Sequence, residues 1–268
     1  INYVNNSSKI VETTHESSLL FNEGHVVVRL SDGQLAILDS NLNLVKTLVG
    51  IQEAGSLSEG LIKVKNSDGL WGFTNLENQE VVRSKYFNVN SYREGLAIVM
   101  QKVDGELLHG VIDKQGNEVI PMTSKYDYLT SFSEGLCVFE KDGRIGYLNT
   151  ERKEVISSDD WREVLPFFNG TASVKGSDRE YGLIDDDGKY IIKTREVSPI
   201  RLYNGVSINR GSNRKYGFMD IDRKLITRTE FEEVIPFLGK GAYVKDGGEW
   251  MYVDKDGDDI TEHNSSIR

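Results

Sequence analysis

A glycine that returns every 35 to 40 residues constrains this chain more than any other feature. Gly24, Gly60, Gly95, Gly135, Gly170, Gly205 and Gly241 stand at intervals of 36, 35, 40, 35, 35 and 36. Three residues before each lies a large apolar side chain: Phe21, Leu57, Tyr92, Phe132, Phe167, Leu202 and Leu238. A fixed period of this length marks a repeat architecture, in which one supersecondary unit recurs and neighbouring units share a core.

The unit reads as short strands separated by turns. After each glycine comes an alternating run, such as Leu61-Ile62-Lys63-Val64 or Leu96-Ala97-Ile98-Val99, with strand length and strand composition. Asp32-Gly33, Asp68-Gly69, Asp104-Gly105, Asp142-Gly143 and Asp246-Gly247 then supply the residues that tight hairpins prefer, because both types tolerate positive φ. The returning strand carries an aromatic-glycine pair in Trp71-Gly72-Phe73, Tyr181-Gly182-Leu183 and Tyr216-Gly217-Phe218, with His109-Gly110-Val111 and Ile145-Gly146-Tyr147 as variants. Repeats one and seven replace that glycine by Ala36 and Met251. A glycine inside a strand weakens it unless a neighbour needs the space, so the pattern predicts close approach of another backbone here.

Three residues beyond the strand glycine stands Asp or Asn in all seven repeats: Asp39, Asn75, Asp113, Asn149, Asp185, Asp220 and Asp254. It opens a second turn leading to a third strand, such as Glu118-Val119-Ile120. A less regular fourth segment, such as Lys125-Tyr126-Asp127-Tyr128, leads into the next repeat.

Ser133-Glu134-Gly135-Leu136, Leu70-Trp71-Gly72-Phe73 and the run from Val111 through Asp113, Gly116 and Val119 to Pro121 carry a family pattern. On these strings the chain resembles the bacterial WG-repeat (KWG-repeat) family over essentially its whole length, although Trp fills only two of the seven strand slots. The resemblance implies a β-repeat module whose molecular activity is undefined.

One meander of three or four strands cannot bury both faces, so consecutive meanders must stack. The expected fold is all-β, a single repeat domain over residues 1–268, with repeats starting near 24, 60, 95, 135, 170, 205 and 241. Radial stacking gives a seven-bladed β-propeller, the expectation adopted; linear stacking gives an open β-solenoid, the alternative. Residues 1–23 read as a partial repeat that contributes a closing strand, because Tyr3-Val4 through Ile10-Val11 match a late strand, turn and third strand. The last repeat stops soon after its third strand, at Thr261-Glu262-His263.

Composition narrows function by exclusion. A formal net charge of −10 argues against binding a phosphate backbone, which needs clustered Lys and Arg. Cys137 stands alone, so no intrachain disulfide or Cys-rich metal site is available, and it reads as a small strand residue rather than a reactive thiol. No stretch reaches the roughly 18 apolar residues of a membrane span. No signal peptide opens the chain, which begins at Ile1 rather than Met, so an upstream segment is expected to have been removed, and a secreted or bacterial surface location is expected over a cytoplasmic one.

His15, His25, His109 and His263 are scattered without metal-ligand spacing, and His109 fills an aromatic slot, which reads as structural. Asp254, Asp256 and Asp258 alternate as calcium ligands do, but Gly257 falls fourth rather than sixth, which favours a turn. No nucleophile elbow, phosphate-binding loop or dinucleotide fingerprint occurs. The expectation is a monomeric, non-catalytic scaffold that binds a protein or a glycan, with no cofactor, metal or catalytic residue and its binding residues unassigned. The alternative is a glycoside-acting enzyme with acids from different repeats facing one another across an axial cavity.

Overall fold

The computed structural model describes residues 2–4, 10–12, 21–193, 199–211, 213–222 and 224–261. Parts of the expected partial repeat, with His15, Glu262 and His263, lie outside the described residues. In chain order the strands are β1 (Asn2–Val4) and β2 (Ile10–Glu12), then β3 (His25–Arg29), β4 (Leu35–Asp39) and β5 (Leu44–Leu48). The next two groups are β6 (Ile51–Ser58), β7 (Leu61–Asn66), β8 (Trp71–Thr74) and β9 (Glu80–Tyr86), and β10 (Asn88–Val89), β11 (Leu96–Val103), β12 (Glu106–Asp113) and β13 (Glu118–Thr123). They are followed by β14 (Tyr128–Leu129), β15 (Leu136–Lys141), β16 (Arg144–Asn149) and β17 (Glu154–Ser158), and by β18 (Trp161–Val164), β19 (Ala172–Gly176), β20 (Tyr181–Ile184) and β21 (Tyr190–Lys193). The last are β22 (Val206–Arg210) with β23 (Tyr216–Asp220), and β24 (Glu233–Val234), β25 (Gly241–Asp246) and β26 (Glu249–Asp254).

Each group is one sheet whose strands neighbour each other in chain order, a meander. Among the described residues no helix is long and apolar enough to cross a membrane. Two compact units divide the chain, Ile1–Gly143 with Tyr147–Val155, and Arg144–Gly146 with Ile156–Arg268.

The expectation of seven blades is corrected to six. Among the described residues six sheets have three or four strands, and the sixth repeat forms only the two-stranded sheet β22-β23. Its return segment touches β23 through the separate bridges Met219↔Leu225 and Tyr216↔Phe231. Between them the Phe218 N–H donates to the Thr227 hydroxyl at 3.0 Å instead of to a strand carbonyl, which breaks the ladder.

In the first unit, strand alternation distributes side chains between two neighbouring cores. On β11, Ala97 and Val99 join Phe73, Val82 and Tyr92, while Ile98 between them joins Ile120, Leu129, Phe132 and Phe139. Successive residues point to opposite faces of a strand, so a β11 buried on both faces requires a sheet on either side. That is why strand interiors such as Ala36-Ile37-Leu38 and Ala97-Ile98-Val99 are buried throughout rather than at every second position. Each fully buried Phe, Ile or Leu contributes about 1.5–3 kcal/mol by leaving water.

The strand glycines do admit a close backbone. A Cβ on Gly72 would stand 2.5 Å from the Val82 carbonyl oxygen and 2.6 Å from the Ser84 nitrogen. The β8-β9 register shifts on both sides of Phe73, so the bulged return strand is what presses onto the glycine. The Asp/Asn position acts as a turn former. Asp113 Oδ1 accepts the N–H of Gln115 at 2.9 Å and of Asn117 at 2.8 Å, and Asn75, Asn149 and Asp185 repeat the geometry.

The start of the seventh repeat moves by one residue. Leu238, expected as its buried anchor, is 65% exposed, whereas Phe237 is buried. Phe237 packs edge-on against Phe218 with ring centroids 4.9 Å apart, as the anchor Tyr92 packs on Phe73 at 4.6 Å. The turn is Gly239-Lys240, closed by the Leu238↔Gly241 bridge, so Lys240 holds the place that Gly95 holds in repeat three. Phe21, the expected anchor of the first repeat, is exposed.

Candidate functional site

The entry to each of the first six repeats is a two-residue turn with both central residues at positive φ. In the third repeat, Arg93 and Leu96 bridge across Glu94 (φ 54°) and Gly95 (φ 76°). Glycine accepts this conformation freely, but a residue bearing a Cβ loses about 1–2 kcal/mol in it. Glu23, Glu59, Glu94 and Glu134 nevertheless occupy the first turn position at φ 51–55°. Asn169 and Asn204 follow at φ 51° and 54°, and Gly239 at 74°.

The reason for glutamate lies one repeat further on. Glu23 accepts the N–H groups of Glu59 and of Gly60, the latter at 2.9 Å. Glu59 accepts Gly95 N–H at 2.9 Å, and Glu94 accepts Glu134 N–H at 2.5 Å and Gly135 N–H at 2.8 Å. Each carboxylate thus clasps the turn of the following repeat, and the left-handed backbone aims it there. The asparagines reach forward differently: Asn169 Nδ2 donates to the Leu202 carbonyl at 3.3 Å, and Asn204 Nδ2 to the Gly239 carbonyl at 3.2 Å.

Within the first unit these turns line a cavity of about 730 Å³. Its wall includes Glu23, Glu59 and Glu94, the side chains of Ser56, Ser58, Ser91 and Ser133, and two cations, Lys63 and Arg93. The apolar anchors Leu57, Tyr92 and Phe132 support it from behind, each almost fully buried. Ser58 Oγ donates to the Tyr92 carbonyl at 2.7 Å, and the Tyr92 hydroxyl donates to the Asp113 carbonyl at 2.8 Å, so the wall is tied to the neighbouring strands.

The Glu59 carboxylate is held in its charged form. Burial pushes the Glu59 carboxyl upward, but N–H donors from Gly95 and Glu94 and the Lys114 ammonium at 3.1 Å outweigh it, and the net displacement is downward. A general acid for glycoside cleavage needs the opposite, a carboxyl kept protonated near neutral pH. No site residue was singled out from the sequence, and the glutamates were missed as a set. The available signal was Glu immediately before Gly in the first four repeats.

The other candidates have structural roles. Asp254 Oδ1 accepts the N–H of Asp256 at 2.9 Å and of Asp258 at 3.0 Å, the same turn geometry as at Asp113. Among the described residues no group of three or more His, Cys, Asp or Glu is placed to hold a metal ion. His109 is buried, its Nδ1 meets no partner, and burial lowers its pKa, so it fills the aromatic slot as a neutral ring. Cys137 is fully buried, and burial pushes its thiol up to about 12.

Comparison with known proteins places this geometry in context. The WG-containing repeat model matches residues 71–102 and 110–144. No curated protein sequence matches. Among solved structures, Kluyveromyces lactis Hsv2 with loop 6CD replaced by a Gly-Ser linker is similar at 11% identity, covering 84% of this chain and 87% of that one, with a TM-score of 0.51. The WD40 β propeller domain of Doa1 aligns at 14% identity over 92% of this chain and 93% of that one, with a TM-score of 0.41. BamB from Moraxella catarrhalis aligns at 14% identity over 80% and 70%, with a TM-score of 0.45.

Proposed function

We propose that the chain is a WG-repeat protein, on the match at residues 71–102 and 110–144, and that it is a non-catalytic β-propeller scaffold that binds a protein or glycan in the cavity lined by its entry turns. The observation that carries this reading is the occupation of the cavity's acids. Glu23, Glu59 and Glu94 each hold backbone N–H groups of the next turn, and Glu59 is displaced toward the ionised form. What remains for a ligand is a concave surface of serine hydroxyls and turn backbone, backed by aromatic and aliphatic anchors. Such a surface suits recognition through hydrogen bonds rather than proton transfer. The burial of β11 on both faces supports the stacking of consecutive sheets into one array.

The test pairs binding with turnover. Peptide and oligosaccharide panels are screened against the full chain and against Ser91→Trp, which fills the cavity, with folding followed by circular dichroism. The expected result is at least one ligand that binds the wild type, fails to bind Ser91→Trp and is recovered unchanged. Release of a cleaved product that stops on Glu59→Gln would replace this reading by the hydrolytic one.

A further inference from the structure

We infer that the cavity of the first unit takes the carboxylate side chain of an acidic peptide, received by the Glu23-Gly24 turn together with Arg93 and Lys63. The inference rests on the binding role proposed above and names its ligand chemistry. Its first ground is the ladder of turns. A turn of this shape turns its two N–H groups outward, and at Glu59-Gly60 and Glu134-Gly135 both are donated to a glutamate carboxylate, with Gly95 donating to a third. The Glu23-Gly24 turn has the same backbone, at φ 51° and 75°, and is closed by the same bridge between Asn22 and His25. Among the described residues no glutamate carboxylate reaches this turn, and its N–H pair meets no acceptor. Asn22 and Glu23 of this turn lie on the cavity wall.

The second ground is the balance of usable charge. All three glutamates of the wall are engaged with backbone donors, and Glu59 also pairs with Lys114. Among the described residues, the two cations of the wall have no carboxylate partner. The Arg93 side chain is exposed and makes no hydrogen bond, and Lys63 has only the Trp71 ring, 5.5 Å from its ammonium. Lys63 is placed there by a specific accommodation. A Cβ on Gly55 would stand 2.7 Å from Lys63 Cγ, so the glycine makes the groove in which the lysine stem lies. An exposed guanidinium and a ring-held ammonium on the same cavity wall as Glu23 match the charge and the planar, bidentate demands of a carboxylate.

The net charge of −10 does not oppose this at contact range. At physiological salt, charges more than about 8 Å apart are largely screened, so the net charge slows approach, while groups on the wall decide affinity. A glutamate side chain is favoured over an acidic sugar because glutamate is what the homologous turns already hold.

The experiment is a titration of the full chain with a dye-labelled octaglutamate peptide, read by fluorescence anisotropy and by backbone amide shifts. Binding is expected, with the Glu23 and Gly24 amides moving downfield while the Gly69 amide of a remote hairpin stays in place. Arg93→Ala and Lys63→Gln are each expected to weaken binding about tenfold or more, because each removes one charge-assisted contact. Arg83→Ala, an exposed arginine outside the cavity, is expected to leave it within twofold. Absence of binding at millimolar peptide overturns the inference, as do unmoved Glu23 and Gly24 amides or equal loss in Arg83→Ala. Tighter binding of an oligogalacturonate of equal charge overturns the peptide class in favour of an acidic glycan. A ligand without a carboxylate that binds in a Ser91→Trp-sensitive manner removes this inference and leaves the proposed function standing. If no ligand of any kind is sensitive to Ser91→Trp, both fall.

Discussion

Replacing Glu94 separates two opposing effects that the entry turn combines. The side chain gives up about 1–2 kcal/mol by holding the backbone at φ 54°, where a Cβ is unfavourable. In return its carboxylate accepts Glu134 N–H at 2.5 Å and Gly135 N–H at 2.8 Å. Bonds to a charged acceptor contribute about 1.5–3 kcal/mol each when sheltered, and about 1 kcal/mol is reasonable for this exposed group. Glu94→Ala keeps the strained backbone and loses both bonds, a destabilisation of about 2 kcal/mol by these values. Glu94→Gly loses the same bonds but relieves the strain, so about 1 kcal/mol remains. Glu94→Gln, with one carbonyl oxygen for two donors, belongs between wild type and Ala.

Urea unfolding followed by tyrosine and tryptophan fluorescence gives the three differences directly, provided the slope with denaturant stays constant across the series. The expected order of stability is wild type, then Gln and Gly close together, then Ala. If Glu94→Gly is as unstable as Glu94→Ala, the backbone is not strained by the side chain. If Glu94→Ala loses less than about 0.5 kcal/mol, the carboxylate is not holding the next turn, and the ladder has no energetic content.

Other consequences are open to direct measurement. Asp113 is displaced downward first by the Asn117 side chain, and Asp39 by the Asn43 backbone N–H; Glu59 is displaced downward against its burial. Because these folded values lie below the unfolded ones, their stabilisation is full above about pH 4.5 and is lost as pH falls through the folded values. The Glu59→Gln variant is therefore expected to show a shallower loss of melting temperature between about pH 4.5 and 3 than the wild type. With its thiol pushed up to about 12, Cys137 has a thiolate fraction near 10⁻⁴ at pH 8, about the ratio set by four pH units, so Ellman's reagent should label it only after unfolding. Gly72→Ala forces a Cβ to 2.5 Å from the Val82 oxygen and should cost about 3 kcal/mol by urea unfolding, whereas Leu225→Ala, at an exposed site, should stay within about 0.5 kcal/mol. Phe237→Ala should cost about 3–5 kcal/mol and Leu238→Ala under about 0.5, and the reverse order would return the seventh anchor to Leu238.

What the sequence disclosed and what it withheld follow from how far each interaction reaches along the chain. The Asx turn at Asp113 closes within four residues, and the glycine at position 72 answers to a strand that follows within twelve, so each leaves a local pattern that seven copies make plain. The clasp from Glu23 to Gly60 spans a whole repeat, and in one dimension its donor is any turn glycine and its acceptor any exposed acid. Repetition showed that Glu precedes Gly, but not that the side chain looks forward rather than outward. The misplaced seventh anchor has a related cause. Gly239 and Gly241 both satisfy a spacing rule counted between glycines, and only the contact between Phe237 and Phe218 separates them. A count from the preceding strand glycine does not separate them either, since Tyr92 stands 20 residues after Gly72 and Phe167 stands 21 after Gly146, the distances of Phe237 and Leu238 from Gly217. The anchor is fixed by the sheet it packs on. The cavity belongs to the same class of feature: its wall is assembled from turns of four successive repeats, each ordinary alone, and its chemistry exists only where those turns meet.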